Sequence, residues 1–201
     1  MDALSLNLCL RILDDQLVDA EDERFARVDD IELDGAPGSE TRVSALIVGA
    51  GGWRWRVPRR LAGITAALTP NVVRRIPWEL VQAIEPGVVR IGTTSGELGF
   101  GTAHHAGARW VDELGQETLR ISSVLGTPVV GPRGEAMGRV HEVQARMEGS
   151  YESPGATWIA GVLTGRAGWA ARLAGGRGHA PSELIEWSRL TKQGDVMLVA
   201  E

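Results

Sequence analysis

The chain is poor in several features that usually make a function easy to read. It carries a single cysteine, Cys9, in 201 residues. That excludes an intramolecular disulfide and any cysteine-cluster metal site. It has one lysine, Lys192, against 20 arginines, and its ten aromatics include only two Phe and one Tyr. No stretch approaches the ~18 uncharged apolar residues that a membrane-spanning helix needs. The opening Met1-Asp2-Ala3 shows neither the basic region nor the apolar core of a secretory leader, so the expected location is cytoplasmic. A net charge of −5 carries no bulk signature of a nucleic-acid binder. What is present is a globular share of apolar residues, 43%. That is enough for one ordinary core or two small ones, and it excludes a largely disordered chain.

Charge is segregated along the chain. Residues 1–40 hold twelve acids and three arginines, whereas residues 41–75 hold seven arginines and no acid. The basic block is densest at Arg54, Arg56, Arg59 and Arg60, interleaved with Trp53 and Trp55. Arginine offers planar, fixed-charge donors to carboxylate or phosphate, and tryptophan offers a stacking face.

The chain also repeats itself. Leu17–Ile31 aligns with Val129–Val143 at an offset of 112, and Leu46–Trp53 aligns with Val162–Trp169 at 116. Arg60-Leu61-Ala62-Gly63 aligns with Arg172-Leu173-Ala174-Gly175 at 112, and Ile76-Pro77-Trp78 with Ile185-Glu186-Trp187 at 109. Four matches in one order, with slightly drifting offsets, mark two copies of one unit separated by loop insertions. The first copy reads as short strands at Gln16–Val18, Phe25–Leu33, Val43–Val48, Val72–Ile76, Val81–Ile84 and Val88–Ile91. The second reads so at Pro128–Val130, Met137–Ala145, Thr157–Thr164, Leu184–Glu186 and Val196–Val199. Turn-rich segments such as Glu85-Pro86-Gly87 separate them. Leu4, Leu6, Leu8, Leu10 and Ile12 alternate with period two and predict an extra leading strand, with Cys9 on its polar side. Leu119 and Ile121 are its counterpart. Many short strands with few helical runs predict an all-β chain. The expected organisation is a first unit with its leading strand at 1–92, a Gly-rich linker at 93–118 and a second unit at 119–201.

These motifs, in this order, resemble the PRC-barrel family. The resemblance rests on Ala26-Arg27-Val28-Asp29-Asp30-Ile31-Glu32-Leu33, on Val43-Ser44-Ala45-Leu46-Ile47-Val48-Gly49, and on Ile76-Pro77-Trp78-Glu79-Leu80-Val81. The second copy keeps Gly138-Arg139-Val140-His141-Glu142-Val143 and Ile185-Glu186-Trp187. The resemblance covers nearly the whole chain. It implies two tandem small β-barrels, and the self-complementary contact common between like units predicts that they pack as a pseudo-symmetric pair. It also implies a non-enzymatic adaptor or regulatory module for protein interaction, and it transfers no catalytic residue.

Several segments invite a sharper reading. Gly49-Ala50-Gly51-Gly52 follows an apolar strand, but a dinucleotide loop needs a third glycine and a helix start where Arg54 stands. The segment is read as a turning loop. His104-His105 lacks neighbouring ligands, and the acidic turn Asp19, Glu21, Asp22 and Glu23 lacks EF-hand order, so no metal is expected. Ser122-Ser123 and His141 form no nucleophile elbow. No cofactor is expected. Trp53 and Trp169, and Trp78 and Trp187, recur in both copies and are read as packing or inter-barrel residues. Arg54, Trp55, Arg56, Arg59 and Arg60 are the candidate partner-binding set. A protein partner is the leading expectation. RNA or the ribosome, bound through the Arg/Trp loop, is the alternative, and pairing of like units leaves a homodimer open.

Overall fold

A computed structural model describes residues 3–49, 74–100, 118–165 and 183–200. The fold is all-β. The N-terminal half runs β1 (Leu4–Asn7), α1 (Leu8–Arg11), β2 (Gln16–Val18), β3 (Arg24–Asp34), β4 (Arg42–Val48), β5 (Arg74–Pro77), a 3₁₀ turn at Trp78–Leu80, β6 (Val81–Glu85) and β7 (Val88–Ile91). The C-terminal half repeats this order. It runs β8 (Leu119–Arg120), α2 (Ile121–Val124), β9 (Pro128–Val130), β10 (Ala136–Ser150), β11 (Ser153–Gly165), β12 (Glu183–Glu186), a 3₁₀ turn at Trp187–Arg189, β13 (Leu190–Gln193) and β14 (Val196–Val199).

The main path of ladders is β13-β14-β9-β10-β11-β4-β3-β2-β7-β6. Replacing each C-terminal strand by its N-terminal counterpart makes this order read the same from either end. Its centre is the single pair Trp158 and Arg42, which are each other's counterparts, joining β11 to β4. β2 with β7 and β9 with β14 are the parallel pairs. The two leading strands are exchanged. β1 pairs with β10 of the C-terminal half, and β8 pairs with β3 of the N-terminal half. Among the described residues the ladders form one open network rather than two closed rings. The outer edge of β6 meets the other half, where the Ile84 N–H donates to Tyr151 O at 2.7 Å.

Local sequence explains the strands. In β3 the buried Val28, Ile31 and Leu33 break strict alternation. A register shift between Val28 and Asp30 absorbs the extra residue, and β10 repeats the shift between Val140 and Glu142. The bulge lets Val28 and Ile31 both reach the core and leaves Asp30 on the opposite face. The leading strand is shorter than alternation predicts. It stops at Asn7, and Leu8–Arg11 closes a helical turn with the Ile12 N–H on Leu8 O. That turn buries Leu8, Cys9 and Ile12 together, so Cys9 lies inside rather than on a polar face. β13 was not marked by periodicity, because Lys192 and Gln193 expose most of it. One apolar cluster draws on both halves, from Leu6 and Ile31 to Val143 and Met197.

Candidate functional site

The acid that follows the bulge in each half reaches into the other. Asp30 is fully buried. Its Oδ1 accepts the Ser122 N–H at 3.1 Å and the Ile31 N–H at 2.9 Å, and its Oδ2 accepts the Ser122 hydroxyl. Glu142 repeats the arrangement. Its Oε1 accepts the Cys9 N–H at 2.7 Å and the Val143 N–H at 3.0 Å, while Oε2 accepts the Leu10 N–H at 3.2 Å. Each carboxylate therefore satisfies orphan N–H groups at the start of the other half's short helix.

Trp78 and Trp187 lie in the 3₁₀ turns, both buried. Their indoles also cross between halves. Trp78 Nε1 donates to Gly155 O at 3.0 Å. Trp187 Nε1 donates to Thr41 Oγ1 at 2.9 Å and to Ala36 O at 3.1 Å. Gly35 sits beside this contact with φ +132°, and any side chain there would collide with Thr41. Trp53, Trp169, Arg54, Trp55, Arg56, Arg59 and Arg60 lie outside the described residues, as do His104 and His105. The acidic turn is partly internal. Asp19 is buried and its carboxylate accepts the N–H groups of Ser95, Glu23 and Glu21 at 2.8–2.9 Å. The Ser95 bond, followed by the two from Glu23 and Glu21, holds its pKa below the usual carboxylate value against the pull of burial. Asp22 pairs with Arg90. Among the described residues no group of three or more His, Cys, Asp or Glu is placed to hold a metal ion.

Among the described residues, a groove of about 460 Å³ lies chiefly on the N-terminal half. The adjacent strands β3, β4 and β5 line it with Glu32, Asp34, Arg42, Ser44 and Arg75, joined by Glu79, Thr118 and Leu119. At its base Glu32 is nearly inaccessible, at 4%. Its Oε1 accepts the Ser44 hydroxyl at 2.7 Å and the Arg75 Nε–H at 2.8 Å. Nearer the surface, Arg42 pairs with Asp34 at 3.1 Å.

The other half is an internal control for this network. Register places Gln144 where Glu32 stands, Ala160 at Ser44 and Leu184 at Arg75. The same strands form there without the charges, and Leu184 is left 46% exposed. A buried ion pair is weak evidence for stability, since apolar replacements of similar shape are often as stable. The charges of the groove are thus not what builds the strands. Sequence reasoning did not single out Glu32, Ser44 or Arg75. The signal was nevertheless present: between matching apolar positions of the two copies, these three change charge or polarity.

No protein-family model matches the chain, and no curated protein matches it.

Proposed function

We propose that the chain is a non-enzymatic, protein-interaction module of PRC-barrel type, two small tandem barrels forming a pseudo-symmetric pair, which holds a protein partner in the groove of its N-terminal half. The repeated element order, the exchanged leading strands and the palindromic strand path support the architecture. The observation that carries the functional reading is the Glu32–Ser44–Arg75 network, present in one copy and replaced by Gln144, Ala160 and Leu184 in the other. A duplicated scaffold that keeps its joints and diverges in one groove has separated structure from recognition. The two arginines are oriented by carboxylates, which suits planar recognition of a partner's polar groups.

The test uses the second copy's own residues. The variant Glu32→Gln/Ser44→Ala/Arg75→Leu should keep the circular dichroism spectrum and a single thermal transition. It should lose proteins that co-purify with the wild-type chain and are identified by mass spectrometry. Retention of the same partner set would overturn the reading. Recovery of ribosomal RNA, released by salt and lost when Arg54, Arg56, Arg59 and Arg60 become Ala, would instead support the RNA reading.

A further inference from the structure

The groove's charge arithmetic restricts what it can hold, provided that it is the interaction site proposed above. Five charged side chains line it: Glu32, Asp34, Glu79, Arg42 and Arg75. Four are matched in two pairs. Arg75 gives Glu32 its Nε–H, which leaves the Nη edge of the guanidinium for another acceptor. The side chain is 41% exposed, so that edge is reachable. Arg42 engages Asp34 Oδ2 through both Nε and Nη2 at 3.1 Å in an exposed pair. Glu79 stands exposed on the rim with no pairing cation among the described residues. Its counterpart in the other half is Ser188, so this acid too belongs to one copy only.

A nucleic acid or other polyanion would bring its phosphates against three carboxylates and two arginines that are already paired. A purely basic chain would satisfy Glu79 and meet the oriented guanidinium of Arg75 with like charge. A ligand with both signs satisfies both. The groove's volume is in the range of sites for drug-sized ligands, or for a few residues of peptide.

We propose that the groove takes a short extended peptide segment carrying an acidic and a basic side chain close together, the acid on the Nη edge of Arg75 and the base on Glu79. Glu32 acts as a positioning residue, since it holds Arg75 rather than the ligand, and the Ser44 hydroxyl donates to the same Glu32 oxygen.

The probes are fluorescein-labelled synthetic peptides of equal length on a Gly/Ala background, in three sets: mixed acid–base, acid-only and base-only. Each is titrated against the full chain by fluorescence polarisation. Mixed-charge peptides should bind, and the other two sets should bind much more weakly. Arg75→Leu and Glu79→Ser should each weaken the mixed set by about two- to fivefold, as loss of one partly exposed charge contact implies. Glu79→Ser changes only an exposed side chain, so its effect does not depend on tolerance of the buried pair. Equal binding of acid-only or base-only peptides, binding insensitive to both substitutions, or no binding of any set would overturn the proposal. Failure of all three sets leaves the broader interaction reading to be judged separately by the partner set of the triple variant.

Discussion

Three single positions show how the two copies instruct one another. Asp30 satisfies three donors from a fully buried position. Asp30→Ala strands the N–H groups of Ser122 and Ile31, so a loss of about 2–4 kcal/mol is expected in urea unfolding. Asp15 is the contrary case. Its Oδ2 is buried without a hydrogen-bond partner. Burial first, and then the neighbouring charge of Asp14, push its pKa up to about 6 against the pull of Arg11. The folded state thus holds a proton that the unfolded chain has already released. Its stability contribution is full below the unfolded value near pH 4 and is lost as pH rises through about 6. Register places Thr127 at this position in the other half, where Thr127 O and Asp15 O accept matching N–H groups from Val140 and Val28. Asp15→Thr should therefore raise stability at pH 7.5 by about 1 kcal/mol, after allowance for partial exposure, and the gain should vanish below pH 4. Thermal melts across that range check the sign. Glu186 occupies the place of Pro77 with nearly the same backbone, φ −59° and ψ 137° against −53° and 139°. Glu186→Pro should accordingly stabilise by about 0.4–1 kcal/mol, measured as a higher urea midpoint at unchanged slope.

Among the elements, the exchanged leading strands have the most direct consequence. β1 belongs to the N-terminal half in sequence and to β10 in space. Leu6 is fully buried opposite Ala145. Leu6→Ala should cost about 2–4 kcal/mol through the cavity it leaves. Hydrogen exchange should quicken at Ala145 and Met147, more than a hundred residues away in the chain, before it does in β2 or β7. Equal loosening of β2 would argue against the exchange. The long hairpin of β10 and β11 acts in the same way, since its tip brings Tyr151 to Ile84 and Gly155 to Trp78. Most strands were legible in sequence because short β-branched runs between turn residues already specify them. Gln16–Val18, Pro128–Val130 and Val196–Val199 end where the residues predict. The leading strand was misjudged beyond Asn7, because Leu8 and Ile12 satisfy period two and a helical turn equally well. Tertiary packing over Glu142 selects the turn, since the carboxylate needs the N–H groups of Cys9 and Leu10.

At the scale of the whole molecule, the joints between halves are strands, carboxylates and indoles rather than a surface patch. Neither half completes its own core: β1, Glu142 and Trp187 serve elements of the other half, as do β8, Asp30 and Trp78. Calorimetry should show one transition whose calorimetric and van't Hoff enthalpies agree. Fragments divided between residues 100 and 118 should remain unfolded apart and regain structure on mixing. Two separate transitions would contradict this. The sequence by itself determined that the chain is β-rich and that one order of short strands recurs in it, because apolar spacing and turn residues act locally and recur at nearly constant offset. It also placed the paired Trp78 and Trp187, without saying what they touch. Only the tertiary structure decided that these residues cross between the copies, and that Glu32, Ser44, Arg75 and Glu79 share one groove. The reason is physical: a β-strand's own residues set which side chains face inward, but its partner strand is chosen by long-range burial, which no local pattern encodes.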